Sequence, residues 1–174
     1  KMEFRRLTEG GSDLYQRAME LYEISFPVFE QREPESQIEI MGHEEYRFHL
    51  IYDEETWVGM ILCWETEDFI YIEHFCTRPQ LRNRGYGQRT LELLKEAKKT
   101  VILEIDPPVD EISVSRKAFY EAAGYKVNPY THIPPRYRKE FEEHSFVVMS
   151  WPRELPEETY RKFDRYLRDV VMSR

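Results

Sequence analysis

The chain has 174 residues, of which 41% are hydrophobic and 14% are aromatic. This is enough apolar material for one domain with its own core, and it excludes a largely disordered chain. Lys and Arg number 25 against 33 Asp and Glu, and the resulting formal net charge of −8 makes nucleic acid an unfavourable partner.

Two cysteines and the lack of long apolar runs narrow the class of protein further. Cys63 and Cys76 lie in apolar runs without CxxC or Cys/His spacing, so we expect reduced core residues, no disulfide framework and no metal site. The longest apolar run, residues 58–64, is far shorter than a membrane span, and the first residues lack the apolar stretch of a signal peptide. We therefore expect a cytoplasmic protein with no membrane partner.

The first half of the chain predicts one strand, two helices and an antiparallel run of strands. Residues 2–7 form a strand, residues 12–24 a helix with Ser12 as its N-cap, and residues 35–41 a short helix. The apolar face of the longer helix is formed by Leu14, Ala18, Leu21 and Ile24. Three strands follow, at residues 46–52, 56–64 and 69–77. The turns between them are short and acidic, which indicates antiparallel neighbours.

The second half predicts a parallel crossover and a terminal helix. A helix at 86–98 precedes an apolar strand at 101–105, so residues 69–105 form a strand-helix-strand unit. The next helix begins at Asp110 or Glu111, ends at Gly124 and turns Ile112, Phe119 and Ala122 inward. Strands at 125–127 and 146–151 flank a loop at 128–139, and a helix follows at 156–172. We predict a single α/β (α+β) domain, residues 1–174, with residues 152–174 as a C-terminal helical extension packed on the body or on a second subunit.

Two of the seven glycines, Gly85 and Gly87, lie at a predicted junction between a strand and a helix. The first N–H groups of a helix have no internal partner, and the helix dipole adds positive charge there. With Arg82 and Arg84 beside it, this turn suits a phosphate or pyrophosphate. It is neither a Walker loop nor a dinucleotide fingerprint, because no Gly-Lys-Ser/Thr is present and position 90 is Thr. A capped helix start with solvated arginines is the alternative.

Two motifs resemble those of the GNAT superfamily of acetyl-CoA-dependent N-acetyltransferases. The segment RNRGYG at 82–87, led by Thr77-Arg78-Pro79, matches the family's Arg/Gln-x-x-Gly-x-Gly/Ala motif. The segment AFYEAAGY at 118–125 looks like its Phe-Tyr-x-x-x-Gly-Phe segment. The order of elements from residue 2 to residue 151 also fits the GNAT fold. The resemblance implies a mixed, largely antiparallel central sheet flanked by helices, and acetyl-CoA as cosubstrate.

The resemblance also implies roles for particular residues. The pantetheine arm would bind the backbone of Phe75, Cys76 and Thr77. The pyrophosphate would bind amides of Arg82, Asn83, Arg84, Gly85, Tyr86 and Gly87. Tyr120 would protonate the departing thiolate, since a phenol is mostly protonated at neutral pH, although simple packing is the alternative. Ser113 and Arg116 replace the Asn and Ala of many members; Ser113 could bond the cofactor, and Arg116 or Lys117 a phosphate.

The reaction implied is direct attack of a neutral amine on the thioester, which needs a general base. Strand alternation places Tyr71, Glu73 and Phe75 on one face of the strand 69–77, and Ile72, His74 and Cys76 on the other. Family members carry basic groups on the former face, so Glu73 is the predicted base, with a pKa raised by partial burial. A salt bridge or an exposed position is the alternative for Glu73.

The acceptor is less defined by the sequence. In this family, loops corresponding to 26–30 and 130–137 flank the acceptor cleft, and here both are rich in aromatic residues. Aromatic and acidic neighbours suit a cationic amine, so we expect a small-molecule amine acceptor. The alternatives are a core cover or homodimer contact for these loops, and for the whole chain a protein or peptide N-acetyltransferase, a non-catalytic CoA-binding module, or a nucleotide-binding protein.

Overall fold

A computed structural model describes residues 1–173, and Arg174, the end of the predicted extension, lies outside the described residues. Seven strands form one sheet. They are β1 (Met2–Leu7), β2 (Tyr46–Asp53), β3 (Thr56–Glu65), β4 (Phe69–Thr77), β5 (Thr100–Ile105), β6 (Lys126–Val127) and β7 (Val147–Trp151). The helices are α1 (Asp13–Ser25), α2 (Pro34–Ile40), α3 (Tyr86–Leu94), α4 (Glu111–Ala122) and α5 (Glu157–Tyr166).

The sheet has the order β1-β2-β3-β4-β5-β7-β6. All neighbours are antiparallel except β4 and β5, which are parallel and joined by the crossover helix α3. The predicted fold, a mixed and largely antiparallel sheet with flanking helices and a C-terminal helix, is confirmed. β7 lies between β5 and β6, which places the last strand of the chain inside the sheet.

Each face of the sheet carries its own hydrophobic core. The first core joins β-strand side chains to α1, α2 and α5, and includes Tyr22, Ile40 and Phe163. The second joins the opposite face to α3 and to the end of α4, and includes Leu91 and Ala123. α5 continues into a π-helical turn, Leu167–Val171, and packs on the body of the chain.

The inward face of α1 differs from the prediction. Tyr15, Ala18, Leu21 and Tyr22 are buried there. Leu14 and Ile24 are 44% and 71% exposed. The two tyrosines contribute large apolar rings to the buried stripe, and a pattern restricted to aliphatic residues misplaces the stripe by about one position.

The inward face of α4 also differs, because its N-terminus is fixed by a capping box. The Asp110 carboxylate accepts from the Ser113 N–H, and the Ser113 hydroxyl accepts from the Asp110 N–H. In this orientation of the helix, Ser113 and Ala123 are buried, whereas the predicted inward residues Ile112, Phe119 and Ala122 are exposed. α3 is also shorter than predicted and ends in a 3₁₀ turn, Lys95–Ala97.

Within residues 1–173, no helix combines the length and apolar character needed to cross a membrane.

Gly59 allows β3 and β4 to approach closely beside the end of β4. A Cβ added there would lie 2.2 Å from the Cys76 carbonyl oxygen and 2.9 Å from Thr77 Cα. Both atoms belong to backbone, so the strands would have to separate. We expect Gly59→Ala to lower the free energy of unfolding by about 2 kcal/mol, measured by urea denaturation.

Gly11→Ala is the matched control, because no heavy atom lies within 4 Å of a Cβ added at Gly11. Equal urea midpoints for the two variants would contradict the close approach at Gly59.

Candidate active site

The sheet divides where β4 and β5 separate. The two strands pair only from Phe69↔Thr100 to Tyr71↔Ile102. β5 continues beside β7 as far as Ile105, while β4 continues beside β3 to Thr77. A cleft of about 1050 Å³ opens there, and its lining includes side chains from both faces of the sheet.

A β-bulge in β4 determines which side chains enter this cleft. Leu62 pairs with His74 and the next β3 residue pairs with Ile72, so Glu73 is an additional residue without a direct partner. Glu73 and His74 consequently point toward the same face, where both contact Tyr137. The predicted alternation holds for Tyr71, Ile72 and Glu73 and is wrong from His74 onward: Cys76 packs with the first core, and Phe75 joins the second.

Glu73 is part of a buried ion pair rather than a free carboxylate. Its Oε2 lies 2.7 Å from an Arg32 guanidinium nitrogen and accepts from the Tyr137 hydroxyl at 2.8 Å. Its Oε1 accepts from Trp64 Nε1 at 2.8 Å, and the Glu73 side chain is 0% exposed. Burial by itself would raise the pKa of Glu73, but Arg32, His74 and the hydrogen bonds outweigh burial and hold that pKa below its usual value. The expectation of a raised pKa is therefore wrong.

Arg32 links Glu73 to two further segments. Its guanidinium donates to the Ser36 hydroxyl in α2 at 3.1 Å and to the Val171 carbonyl at 2.9 Å. Arg138 adds a further link, since it donates to the Gln31 and Arg32 carbonyls. Arg32 was not singled out by the sequence analysis, because one arginine in a polar loop carries no visible signal.

His74 lies beside Glu73 in a buried aromatic environment. Its ring stacks on Tyr137 and meets Tyr22 and Phe26 edge to face. Its Nε2 lies 2.7 Å from the Glu30 carbonyl oxygen, which assigns the proton to Nε2 and leaves a lone pair on Nδ1. Burial lowers the pKa of His74 despite the opposing charge of Glu73.

The glycine turn has the geometry of an anion site. Asn83 and Gly85 have positive φ values of 62° and 81°, and Gly85 is the N-cap of α3. No side chain within residues 1–173 caps this helix start, so its first N–H groups are available to a ligand. A Cβ at Gly87 would lie 3.1 Å from the Phe119 ring, which faces the turn from α4.

Most of the predicted cofactor residues line the cleft. The lining residues among them are Phe75, Cys76, Thr77, Arg82, Asn83, Gly85, Tyr86 and Gly87. Arg84 is exposed and lies outside the lining. Ser113 also lies outside it, because its buried hydroxyl bonds with Asp110 in the capping box.

Tyr120 lines the cleft from α4 and packs against the second core. Burial raises the pKa of Tyr120 to about 12, with nearby Arg116 opposing the shift. The phenol is therefore protonated throughout the neutral range. Arg116 and Phe119 line the same side of the cleft.

A second buried polar cluster was missed by the sequence analysis. Glu104 lines the cleft from β5 and accepts hydrogen bonds from the Tyr71 hydroxyl and from His132. A signal was available, because Glu104 is the charged residue within the apolar strand at 100–105. No group of three or more potential metal ligands occurs in the part of the chain that the structure describes.

The aromatic loops meet over the acceptor side of the cleft. The Phe29 ring contacts the Phe141 ring, with centroids 6.1 Å apart, and the His144 ring, with centroids 6.0 Å apart. Pro134 and Tyr137 complete this wall. Phe29 belongs to the predicted acceptor loop 26–30, whereas Phe141 and His144 lie beyond the predicted loop 130–137; both predicted loops contribute residues to the cleft lining.

The Arg32–Glu73 pair predicts a pH-dependent contribution to stability. We expect Arg32→Met to lower the free energy of unfolding by about 3–5 kcal/mol near pH 7, because an unpaired carboxylate stays buried. The folded-state pKa of Glu73 lies below its usual value of 4.5, so the pair stabilises the wild type above that pH and less as pH falls through the folded pKa. The difference between the two proteins should therefore shrink in acid, as measured by urea unfolding across pH.

Arg168→Met is the control, because Arg168 pairs with Asp164 while both are partly exposed. A difference between the wild type and Arg32→Met that does not change with pH would contradict the ionised pair.

Comparisons with known proteins agree with this geometry. Residues 13–125 match the model of the acetyltransferase (GNAT) family. A solved structure from Bacteroides thetaiotaomicron, described as a GNAT-family acetyltransferase, is 31% identical over 99% of both chains, with a TM-score of 0.92. A comparison with curated proteins gives no match.

More distant structures share the fold. An aminoglycoside 6′-N-acetyltransferase complexed with coenzyme A is 16% identical over 89% of this chain and 99% of its own, with a TM-score of 0.62. The ribosomal-protein-S18-alanine N-acetyltransferase of Escherichia coli is 15% identical over 91% and 97%, with a TM-score of 0.58. Through its family match and the 31% identical relative that matches over 99% of both chains, this chain belongs to the GNAT family of acetyltransferases, which use acetyl-CoA as cosubstrate.

Proposed function

We propose that the protein transfers the acetyl group of acetyl-CoA to the primary amine of a small molecule, by direct attack within a ternary complex. The observation that carries this proposal is the wall over the acceptor side of the cleft. Tyr137 donates to Glu73, Arg138 donates to the Gln31 carbonyl, and Phe29 contacts Phe141. A segment fastened in this way restricts the space for an acceptor, which favours a metabolite over a protein chain.

The charges around the cleft favour a cationic acceptor. Besides Glu73, which is paired with Arg32, carboxylates line its acceptor side and mouth at Glu30, Glu104, Glu142 and Glu143. Arg136 is a cation among these lining residues, and it lies 3.6 Å from Glu143. An excess of negative charge in a partly enclosed cleft attracts an ammonium ion.

The opposite side of the cleft fits acetyl-CoA, which supplies an activated thioester. Beyond Tyr71, the edge of β4 that faces β5 is open to the cleft, so the backbone of residues 75–77 can pair with an extended amide-bearing ligand. The uncapped start of α3, with Gly85 and Gly87, suits the pyrophosphate. Amides of 82–87 and the Arg116 guanidinium complete this side, and the Ser113 hydroxyl is not included because the capping box occupies it.

Tyr120 is the proposed general acid. As the amine nitrogen bonds to the carbonyl carbon, the carbon–sulfur bond breaks and the sulfur takes the Tyr120 proton. The raised pKa of about 12 keeps that proton on Tyr120 at neutral pH. Tyr120 packs on the same sheet face as α3, which is the side proposed for the cofactor.

Tyr120→Phe tests this role. We expect kcat for amine acetylation to fall by about 100-fold, because the thiolate then leaves without a positioned acid. In the wild type, ionisation of Tyr120 should cause no loss of rate below about pH 10, since its pKa is about 12. Release of CoA thiol, followed across pH, gives both measurements.

Tyr125→Phe is the matched control, because the Tyr125 hydroxyl is buried without a hydrogen-bond partner within residues 1–173. The Tyr125 ring also contacts the Tyr120 ring, with centroids 5.7 Å apart. An unchanged rate in Tyr120→Phe, or an equal loss in both variants, would refute the acid role.

The acceptor class is tested with two panels of amines. Small mono- and diamines are compared with short peptides that carry a free N-terminus or a lysine, in the presence of acetyl-CoA. We expect kcat/KM for the best small amine to exceed that of every peptide by about 100-fold or more, because the wall excludes a longer chain.

Phe141→Ala removes the ring that contacts Phe29 and should narrow this preference. A peptide preferred by the wild type would replace the small-molecule proposal with a protein acceptor, and the absence of turnover with either panel would favour a CoA-binding module.

A further inference from the structure

Acetyl transfer to an amine requires a group that removes a proton from the incoming ammonium ion. A primary alkyl amine is mainly protonated near neutral pH, and only its neutral form attacks a carbonyl. The Glu73 carboxylate is enclosed by Arg32, Trp64 and Tyr137, and its side chain is 0% exposed. A carboxylate that is accessible from the amine-binding side of the cleft is better placed to take the ammonium proton.

Glu104 meets this requirement by its position in the sheet. It lies two residues beyond Ile102, the last β5 residue that pairs with β4. Because side chains alternate along a strand, Glu104 shares the face of Ile102, which belongs to the first core. Its side chain is 13% exposed and lines the cleft. Tyr120 packs on the second core, so the proposed acid and Glu104 lie on opposite faces of the divided sheet.

Two donors fix the Glu104 carboxylate. The Tyr71 hydroxyl donates to Oε1, and His132 Nε2 contacts Oε2. Because an ionised carboxylate can only accept, the contact of Glu104 with His132 Nε2 assigns an imidazole proton to that nitrogen, and the Tyr160 hydroxyl lies 2.8 Å from His132 Nδ1. His132 is 0% exposed and stacks on Phe163, so its ring cannot turn freely. Each carboxylate oxygen retains a lone pair for the cleft.

We propose that Glu104 accepts the ammonium proton of the acceptor, and that His132 and Tyr71 position its carboxylate for this step; the proposal rests on the function proposed above. A nitrogen–hydrogen bond of the ammonium breaks, and the proton bonds to a Glu104 oxygen. The freed electron pair forms the carbon–nitrogen bond as the carbon–sulfur bond breaks. The sulfur takes the Tyr120 proton, the second proton leaving nitrogen restores Tyr120 through solvent, and Glu104 releases its proton to solvent.

His74 is the competing group on the same face. Its Nδ1 is buried without a hydrogen-bond partner in the described part of the chain. The rings of Tyr22, Phe26 and Tyr137 surround the imidazole, so an ammonium ion in the cleft has no open approach to this nitrogen. Glu104 differs in that its carboxylate is held by two donors and is partly open to the cleft.

The test compares two amines of similar shape but different basicity, an alkylamine and its fluorinated analogue that is neutral at the assay pH. We expect Glu104→Gln to lower kcat for the alkylamine by about 100-fold and to leave the rate with the neutral amine within about threefold of wild type. Only the basic amine needs its proton removed before attack. Glu67→Gln, in the exposed turn between β3 and β4, is the charge-matched control.

His132 is tested as a positioning residue by measuring kcat and KM separately. His132→Leu removes the donor that holds Oε2 of Glu104. We expect kcat for the alkylamine to fall about tenfold, while KM for acetyl-CoA and the rate with the neutral amine stay near the wild-type values. His132→Gln keeps an N–H donor and should restore part of the rate. The titratable or charged groups around Glu104 and His132 are Tyr71, Tyr160, Asp164 and Arg168. The two His132 variants leave all of these residues in place.

Several results would overturn the proposal. Glu104→Gln with wild-type rates toward the alkylamine would do so, as would an equal loss with both amines, since that indicates binding or folding rather than proton removal. A loss limited to the basic amine in His74→Gln, with Glu104→Gln unaffected, would assign the step to His74. Failure of the wild type to acetylate either amine would instead refute the proposed function, so the two failures are distinguishable.

Discussion

The early separation of β4 from β5 is the constraint on which the site depends. Three residue pairs join these strands, after which β5 continues with β7 and β4 continues with β3. Each strand therefore keeps a complete neighbour on one side while its other edge opens. The opening connects the two faces of the sheet. An acyl donor bound on the face of α3 and α4 can therefore meet an amine acceptor bound on the face of α1 and α5. A continuous sheet would keep them apart.

The buried Arg32–Glu73 pair is the second constraint, because it joins the segments that surround the acceptor side. A buried ion pair is costly to desolvate and is seldom the most stabilising choice at its position. Here its hydrogen bonds connect β4, α2, the loop at Tyr137 and the turn at Val171. Its principal effect is to fix the relative positions of these segments.

The sequence predicted the features that depend on local chemistry. The order of strands and helices followed from periodicity, and the turn at Gly85 followed from glycine spacing, because both depend on neighbouring residues. The bulge at Glu73 was missed, since strand alternation shows no sign of an additional residue when polar and aromatic side chains follow one another. The faces of α1 and α4 were misassigned because tertiary packing of tyrosines and a capping box set their rotation. The pairing of Glu104 with His132 joins residues far apart in the chain and could not be inferred locally.

The bond from Arg32 to the Val171 carbonyl spans 139 positions of the chain. Closing so long a loop is entropically unfavourable until most of the fold exists, so this contact forms late. During synthesis, the glycine turn and α3 leave the ribosome long before residue 171, while the acceptor wall still lacks one of its anchors. The segments around Glu73 are therefore fixed to one another only after the turn at Val171 has been made.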